Sequence, residues 1–226
     1  MKKSNKIIVV VVLALVVLFG VGQFFASSTI TAPSKNQATS TSLVVSATQV
    51  IAYSPSQPTS STPLENGSCW TNSIAAPFRA DAWRCAVGNG ISDPCFQIPG
   101  SSSTLLCGIN PTVQNSTSTF VLKLTQPLPA PEVPQGIPPS NWAWLVQLAD
   151  GTLCTPFTGT LPITATEDVA NYGCAPGPLG DNLMIFGELN TSSSPWMAEV
   201  GTISESSSSL PVLATSSTVP VATVWQ

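Results

Sequence analysis

Cys69-Trp70-Thr71-Asn72-Ser73-Ile74-Ala75-Ala76, followed by Arg79-Ala80-Asp81-Ala82-Trp83-Arg84-Cys85 and then Asp93-Pro94-Cys95-Phe96, is the stretch that decides how this chain folds. It carries three of the six cysteines, two of the six tryptophans and both arginines. An even cysteine count beside large aromatics points to an oxidised, compact domain. The flanking sequence is rich in Ser and Thr. The stretch contains no recognisable catalytic constellation.

Working outward toward the N-terminus, Lys2, Lys3 and Lys6 precede an apolar run from Ile7 to Phe25, and no charge follows until Lys35. A helix rises ~1.5 Å per residue, so about 20 such residues cross a ~30 Å hydrocarbon core. The lysines keep the short N-terminal segment 1–6 inside and send the remainder out. A signal anchor over 7–26 is the first reading, because the apolar run exceeds the ~7–15 residues of a typical signal peptide. A cleaved signal with a processing site at Ala26-Ser27-Ser28 competes with it. Both place the C-terminal domain outside the cytoplasm: on the cell membrane as a single-pass protein, or secreted after cleavage.

Past residue 30, Lys35, Arg79, Arg84 and Lys123 are the only cations, facing eleven carboxylates for a net charge of −7. Such a surface offers no electrostatic footprint for nucleic acid. The partners expected are the lipid bilayer, through residues 7–26, and a cell-wall polymer or surface protein.

Residues 27–65 read as a stalk, since Ser, Thr and Pro make up more than half of them. Such a segment buries too little to offset its ordering entropy. Leu43–Tyr53 is the apolar exception, able to add a strand to a domain edge. The domain itself is expected over 66–226. Ala75–Val87 reads as one short helix (about 77–87), with Pro77 to start it and Gly88-Asn89-Gly90 to stop it. Short strands are expected at 104–109, 119–124, 183–187, 196–200 and 219–225. A hairpin is expected from Trp142–Ala149 through a two-residue Asp150-Gly151 turn to Thr152–Phe157. Gln126–Ser140 holds six prolines and reads as a surface loop, either a stiff connector or a docking segment. The fold class is therefore mainly β, an antiparallel β-sandwich or barrel stabilised by disulfides, on an N-terminal transmembrane or signal helix.

The cysteine spacing is C-x15-C-x9-C-x11-C-x46-C-x19-C. Six cysteines allow about 15 pairings. Nearest neighbours are favoured: Cys69–Cys85, Cys95–Cys107 and Cys154–Cys174. No C-x-x-C is present for redox exchange, and no histidine completes a zinc site, so neither metal nor cofactor is expected.

The absence of histidine also excludes Ser-His-Asp and Cys-His nucleophile systems and the H-E-x-x-H motif. G-x-S-x-G, G-x-G-x-x-G and the phosphate-binding loop are absent too. Carboxylates remain: Asp81 and Asp93 near the arginines, and Glu167, Asp168, Asp181 and Glu188 later. A glycosidase needs two of them converging across a sugar. Arg79, Asp81, Arg84 and Asp93 read more simply as structural ion pairs, with Asp81 beside Arg84 and Arg79 over Trp83 on a helix. No catalytic residue is assigned. Trp142 and Trp144 would share one strand face, as core or, if exposed, as a binding platform for sugars or peptides. Asn66, Asn115 and Asn190 open N-glycosylation sequons.

The Cys-Trp-Thr-x-Ser-Ile-Ala … Arg-x-Asp-Ala-Trp-Arg-Cys … Asp-Pro-Cys-Phe run resembles one in bacterial secreted or membrane-anchored proteins of unknown function. Val146–Cys154 and Tyr172-Gly173-Cys174 extend the resemblance over about residues 66–226. It implies a bacterial surface protein, makes the sequons irrelevant, and imports no activity. The expectation is a surface-displayed, non-catalytic binding or sensing module. The alternatives are a carboxylate-dependent extracellular hydrolase and a structural envelope protein.

Overall fold

The computed structural model describes residues 45–113, 116–132, 140–177, 182–204 and 211–226. The expected membrane segment 7–26, the N-terminal part of the expected stalk, Asn115, residues 133–139 of the proline-rich loop and Asp181 lie outside the described residues.

The chain builds two meander barrels in tandem. The first contains β2 (Leu64–Asn72), β3 (Ala82–Val87), β4 (Gly90–Gln97), β5 (Thr104–Cys107) and β6 (Phe120–Leu124). Successive strands pair antiparallel, so in a ring of five the first and last must run the same way. Accordingly β2 closes on β6 in parallel, Leu64 opposite Val121 through Gly67 opposite Leu124. The second contains β7 (Leu145–Leu148), β8 (Leu153–Pro156), β9 (Ala170–Cys174), β10 (Met184–Asn190), β11 (Met197–Ser204) and β12 (Val212–Trp225). Six alternating strands close antiparallel, and the C-terminal half of β12 pairs β7 in that sense. Full closure removes the unpaired edges that an open sheet exposes.

No helix occurs among the described residues. The expected helix at 77–87 is a turn followed by β3. Gly88 (φ 56°) and Asn89 form the two-residue link that pairs Val87 with Gly90, the pattern of a type II′ hairpin. The glycines that look like a helix stop are therefore a strand connection. The Asp150-Gly151 hairpin is present, but its loop has three residues. Leu148 donates to Thr152 and Gly151 donates back to Leu148, with Gly151 at φ 92°. This is a tight turn followed by a left-handed residue. Strand β7 starts only at Leu145, so Trp142 and Trp144 precede it.

Residues 45–63, stalk by composition, lie along both barrels. Gln49–Ile51 forms β1, parallel to β12 at Thr223–Trp225. Thr48 donates its hydroxyl to Val221 O and accepts from Trp196 N. Tyr53 then wedges between Phe96 of the first barrel and Trp144 at the edge of the second, with ring centroids 5.0 and 5.2 Å away.

The three disulfides are Cys69–Cys85, Cys95–Cys107 and Cys154–Cys174. Cys69 faces Cys85 across β2–β3, and Cys154 faces Cys174 across β8–β9. Cys95 and Cys107 flank the Phe96–Leu106 pair of β4–β5. A meander puts consecutive strands side by side, so each bridge joins cysteines that neighbour each other in sequence.

Candidate functional site

The two barrels meet over an aromatic layer of Phe96, Trp144, Leu145 and Trp225, flanked by Ile51, Tyr53 and Trp142. Trp144 is 2% exposed and Trp142 half-buried. The two therefore do not form a common platform: Trp144 is core, and Trp142 alone reaches a surface cleft. Trp196 packs half-buried on the second barrel's core, and Trp70 lies exposed with the Arg84 guanidinium 5.9 Å from its ring.

The four charged residues singled out in the sequence form two ion pairs, with partners other than those a helix would give. Arg79 bonds Asp81 through both Nε (2.9 Å) and Nη2 (2.6 Å). Its Nη1 donates to the main-chain oxygens of Tyr53 and Gln226, and its guanidinium lies 4.6 Å from the Phe96 ring. Arg84 bonds Asp93 at 3.0 Å, and the Asp93 side chain is only 2% exposed. Asp93 also accepts from Ser73 Oγ and from the amides of Ile74 and Ala75, while Ser73 Oγ accepts from Ala76 N. One carboxylate thus organises a whole turn, as expected for a buried charge that must be fully hydrogen-bonded.

That turn is one wall of the cleft. The cleft measures about 280 Å³ and is lined by Ile74 and Pro77 from the first barrel and by Trp142, Phe157, Tyr172 and Glu188 from the second. Arg84 Nη1 continues past Asp93 to Thr158 O at 2.7 Å, fixing the residue beside Phe157 on the opposite wall. Gln226 Nε2 donates to Trp142 O at 2.6 Å, and Phe78 meets the Trp142 ring edge-on at 5.6 Å. The Phe157 ring lies over Gly173, 3.0 Å from where a Cβ would stand. Each wall is therefore held by largely part-buried hydrogen bonds or close packing. Preorganisation of this kind lowers the ordering cost of binding.

The polar lining is Asn141, Asn171 and Glu188. Asn141 Nδ2 donates to Glu188 Oε2 at 2.7 Å, and Asn171 Nδ2 donates to Gly187 O at 2.7 Å. Tyr172 donates its hydroxyl to Ala143 O at 3.1 Å, and burial pushes its pKa up to about 12. It is a fixed wall rather than a proton donor at neutral pH.

A wider groove of about 650 Å³ lies on the first barrel between residues 56–63 on one side and residues 109–113 and 116–119 on the other. Its hydroxyls bond one another, Thr59 to Ser61 and Thr62, Ser116 to Ser118, Thr112 to Asn110. Among the described residues no charged side chain lines it. Size alone does not make it the better site, because several of its hydroxyls bond one another and none of its described lining is charged.

Among the described residues no group of three Cys, Asp or Glu side chains is placed to hold a metal. Asp168 bonds Thr164 and Thr166 within its own loop. Phe157, Asn141 and Asn171 carried no sequence signal that set them apart from strand and loop residues elsewhere. No protein family, curated protein or solved structure matches this chain.

Proposed function

We propose that the chain is a surface-displayed, non-catalytic binding module. Residues 7–26 anchor it in a bacterial membrane, and the cleft between its barrels takes a component of the cell wall. The observation that carries this reading is the Arg84–Asp93 pair. One buried ion pair fixes both walls of one cleft, Asp93 through the 73–76 turn and Arg84 through Thr158. The apolar N-terminal run and the pairing of all six cysteines support an extracytoplasmic location. So does the resemblance to bacterial surface proteins. Among the cleft's lining residues Glu188 is the sole carboxylate, which favours recognition over two-carboxylate hydrolysis.

The test is retention of the oxidised full chain, held in mild detergent, on purified cell-wall polymer. Saturable retention that Trp142→Ala removes, with all disulfides intact, is the expected result. Retention unchanged by Trp142→Ala sinks the cleft as the binding site.

A further inference from the structure

We propose that the ligand group entering the cleft is an amino sugar bearing a free ammonium. This deepens the reading of the cleft as a binding site and rests on it. The argument begins with what the cleft leaves uncommitted. Glu188 is exposed and accepts one hydrogen bond, from Asn141, through Oε2. Among the described residues no cation pairs with it: Arg79 is committed to Asp81, Arg84 to Asp93, and Lys123 on β6 makes no salt bridge. The identities of the two amide partners fix the amide orientations: Asn141 faces a carboxylate and Asn171 faces a carbonyl, so each turns its nitrogen there. Glu188 Oε1, Asn141 Oδ1 and Asn171 Oδ1 are left as acceptors, beside one remaining N–H on each amide. With one net negative charge and two amides that both donate and accept, the lining selects a cationic ligand that also carries hydroxyls. It rejects phosphate, carboxylate and, at the charged position, an acetamido carbonyl.

An ammonium supplies three donors and a positive charge, and ring hydroxyls supply the others. The apolar surface of Trp142 and Phe157 matches the C–H face of a pyranose, and an aromatic face also attracts a cation. A lysine side chain brings the same charge and donors but no ring hydroxyls to meet the two amides. The volume of about 280 Å³ suits a single sugar residue with the polymer running outside.

The test is calorimetric titration of the oxidised full chain in detergent. The probes are a β-1,4-glucosamine oligomer, its fully N-acetylated counterpart, the corresponding glucose oligomer and an oligolysine peptide. The free amine is expected to bind at least about tenfold more tightly than the acetylated or hydroxyl forms, the size of one charge-assisted hydrogen bond. The preference should shrink as salt shortens the screening length to about 8 Å and below. Glu188→Gln, an exposed change that leaves the barrels intact by near-ultraviolet dichroism, should level the sugars, and Trp142→Ala should weaken all of them. Equal or tighter binding of the acetylated oligomer, a preference surviving Glu188→Gln, or preference for oligolysine overturns the ammonium assignment and leaves the cleft standing. No saccharide binding together with cell-wall retention indifferent to Trp142→Ala overturns both.

Discussion

In the main cluster of the first barrel four of the seven buried residues are half-cystines, gathered around Trp83 with Leu105 and Leu122. In the second only Cys154 is, among twelve buried residues that are mostly Val, Leu, Ile and Ala. The difference follows from size. A short chain closed into a five-stranded ring has too little apolar area to offset the entropy of ordering it, and covalent bridges reduce the freedom of its unfolded state instead. The six-stranded ring draws on longer strands, β11 and β12 above all, and its core is aliphatic burial with one bridge added. Two neighbouring barrels of like topology thus reach stability by different means.

Reduction is the way to break that comparison, and its effect should be the largest. The bridges span 16, 12 and 20 residues. Each therefore contributes about 3 kcal/mol by the chain-entropy model. The three are equal in entropy and unequal in consequence. Losing Cys69–Cys85 and Cys95–Cys107 removes roughly 6 kcal/mol from a barrel whose main cluster otherwise holds only Trp83, Leu105 and Leu122 as buried residues. Hydrogen exchange on the reduced protein should show β2–β6 unprotected and β7–β12 still protected. Loss of protection in both at the same reductant concentration would show that the barrels fold as one unit.

The seam comes next. Arg84→Ala leaves the Asp93 carboxylate, 2% exposed, without its cation. Stranding one member of a buried pair costs about 3 kcal/mol or more. The loss should appear as a lowered urea midpoint together with faster exchange at Ile74 and Ala75, whose amides Asp93 holds. A lowered midpoint with those amides unmoved would confine the pair to the first barrel and remove its role in shaping the cleft.

How far the sequence discloses all this differs between the barrels. The apolar runs at 104–109, 119–124 and 183–187 stand out locally because strands β5, β6 and β10 bury them. The cysteine spacing carries topology, since a meander lays consecutive cysteines on adjacent strands. Strand β3 is hidden, because Ala82-Trp83-Arg84-Cys85 after Pro77 has helical neighbours and its pairing partners are set by turns at Gly88 and before Ala82. Strand β1 is half-legible: the apolar run Leu43–Tyr53 marks it as able to add a strand to a domain edge, but its partner, β12, lies at the far end of the chain and nothing local names it. The cleft is the least legible part. Ile74, Trp142, Phe157 and Glu188 meet only because two rings close side by side. Trp142 and Trp144 look alike in sequence, and Trp144 is the buried one because Phe96 of the first barrel and Tyr53 of that same distant segment pack on it.

The two tyrosines sharpen the comparison with smaller effects, and they are the only phenols in the chain. Tyr53 sits at the seam and Tyr172 in the core of the second barrel; burial pushes both from the ordinary 10.0 up to about 12. Below pH 10 both states keep the proton and the stabilisation is whole. Between pH 10 and 12 the unfolded chain has lost protons that the folded chain retains, so stability falls as pH rises through that window. An ultraviolet titration should show ionisation delayed beyond pH 10, with Tyr53→Phe and Tyr172→Phe each leaving one reporter. At neutral pH Tyr172→Phe removes the hydrogen bond to Ala143 O and should cost about 1 kcal/mol. In the reduced protein the phenol of Tyr172 should keep its raised value while the second barrel stands. Tyr53, which packs on Phe96 of the first barrel, should fall back toward 10. If instead Tyr172 ionises in step with Tyr53 after reduction, the aliphatic core does not hold without its neighbour, and the two means of stabilisation are one.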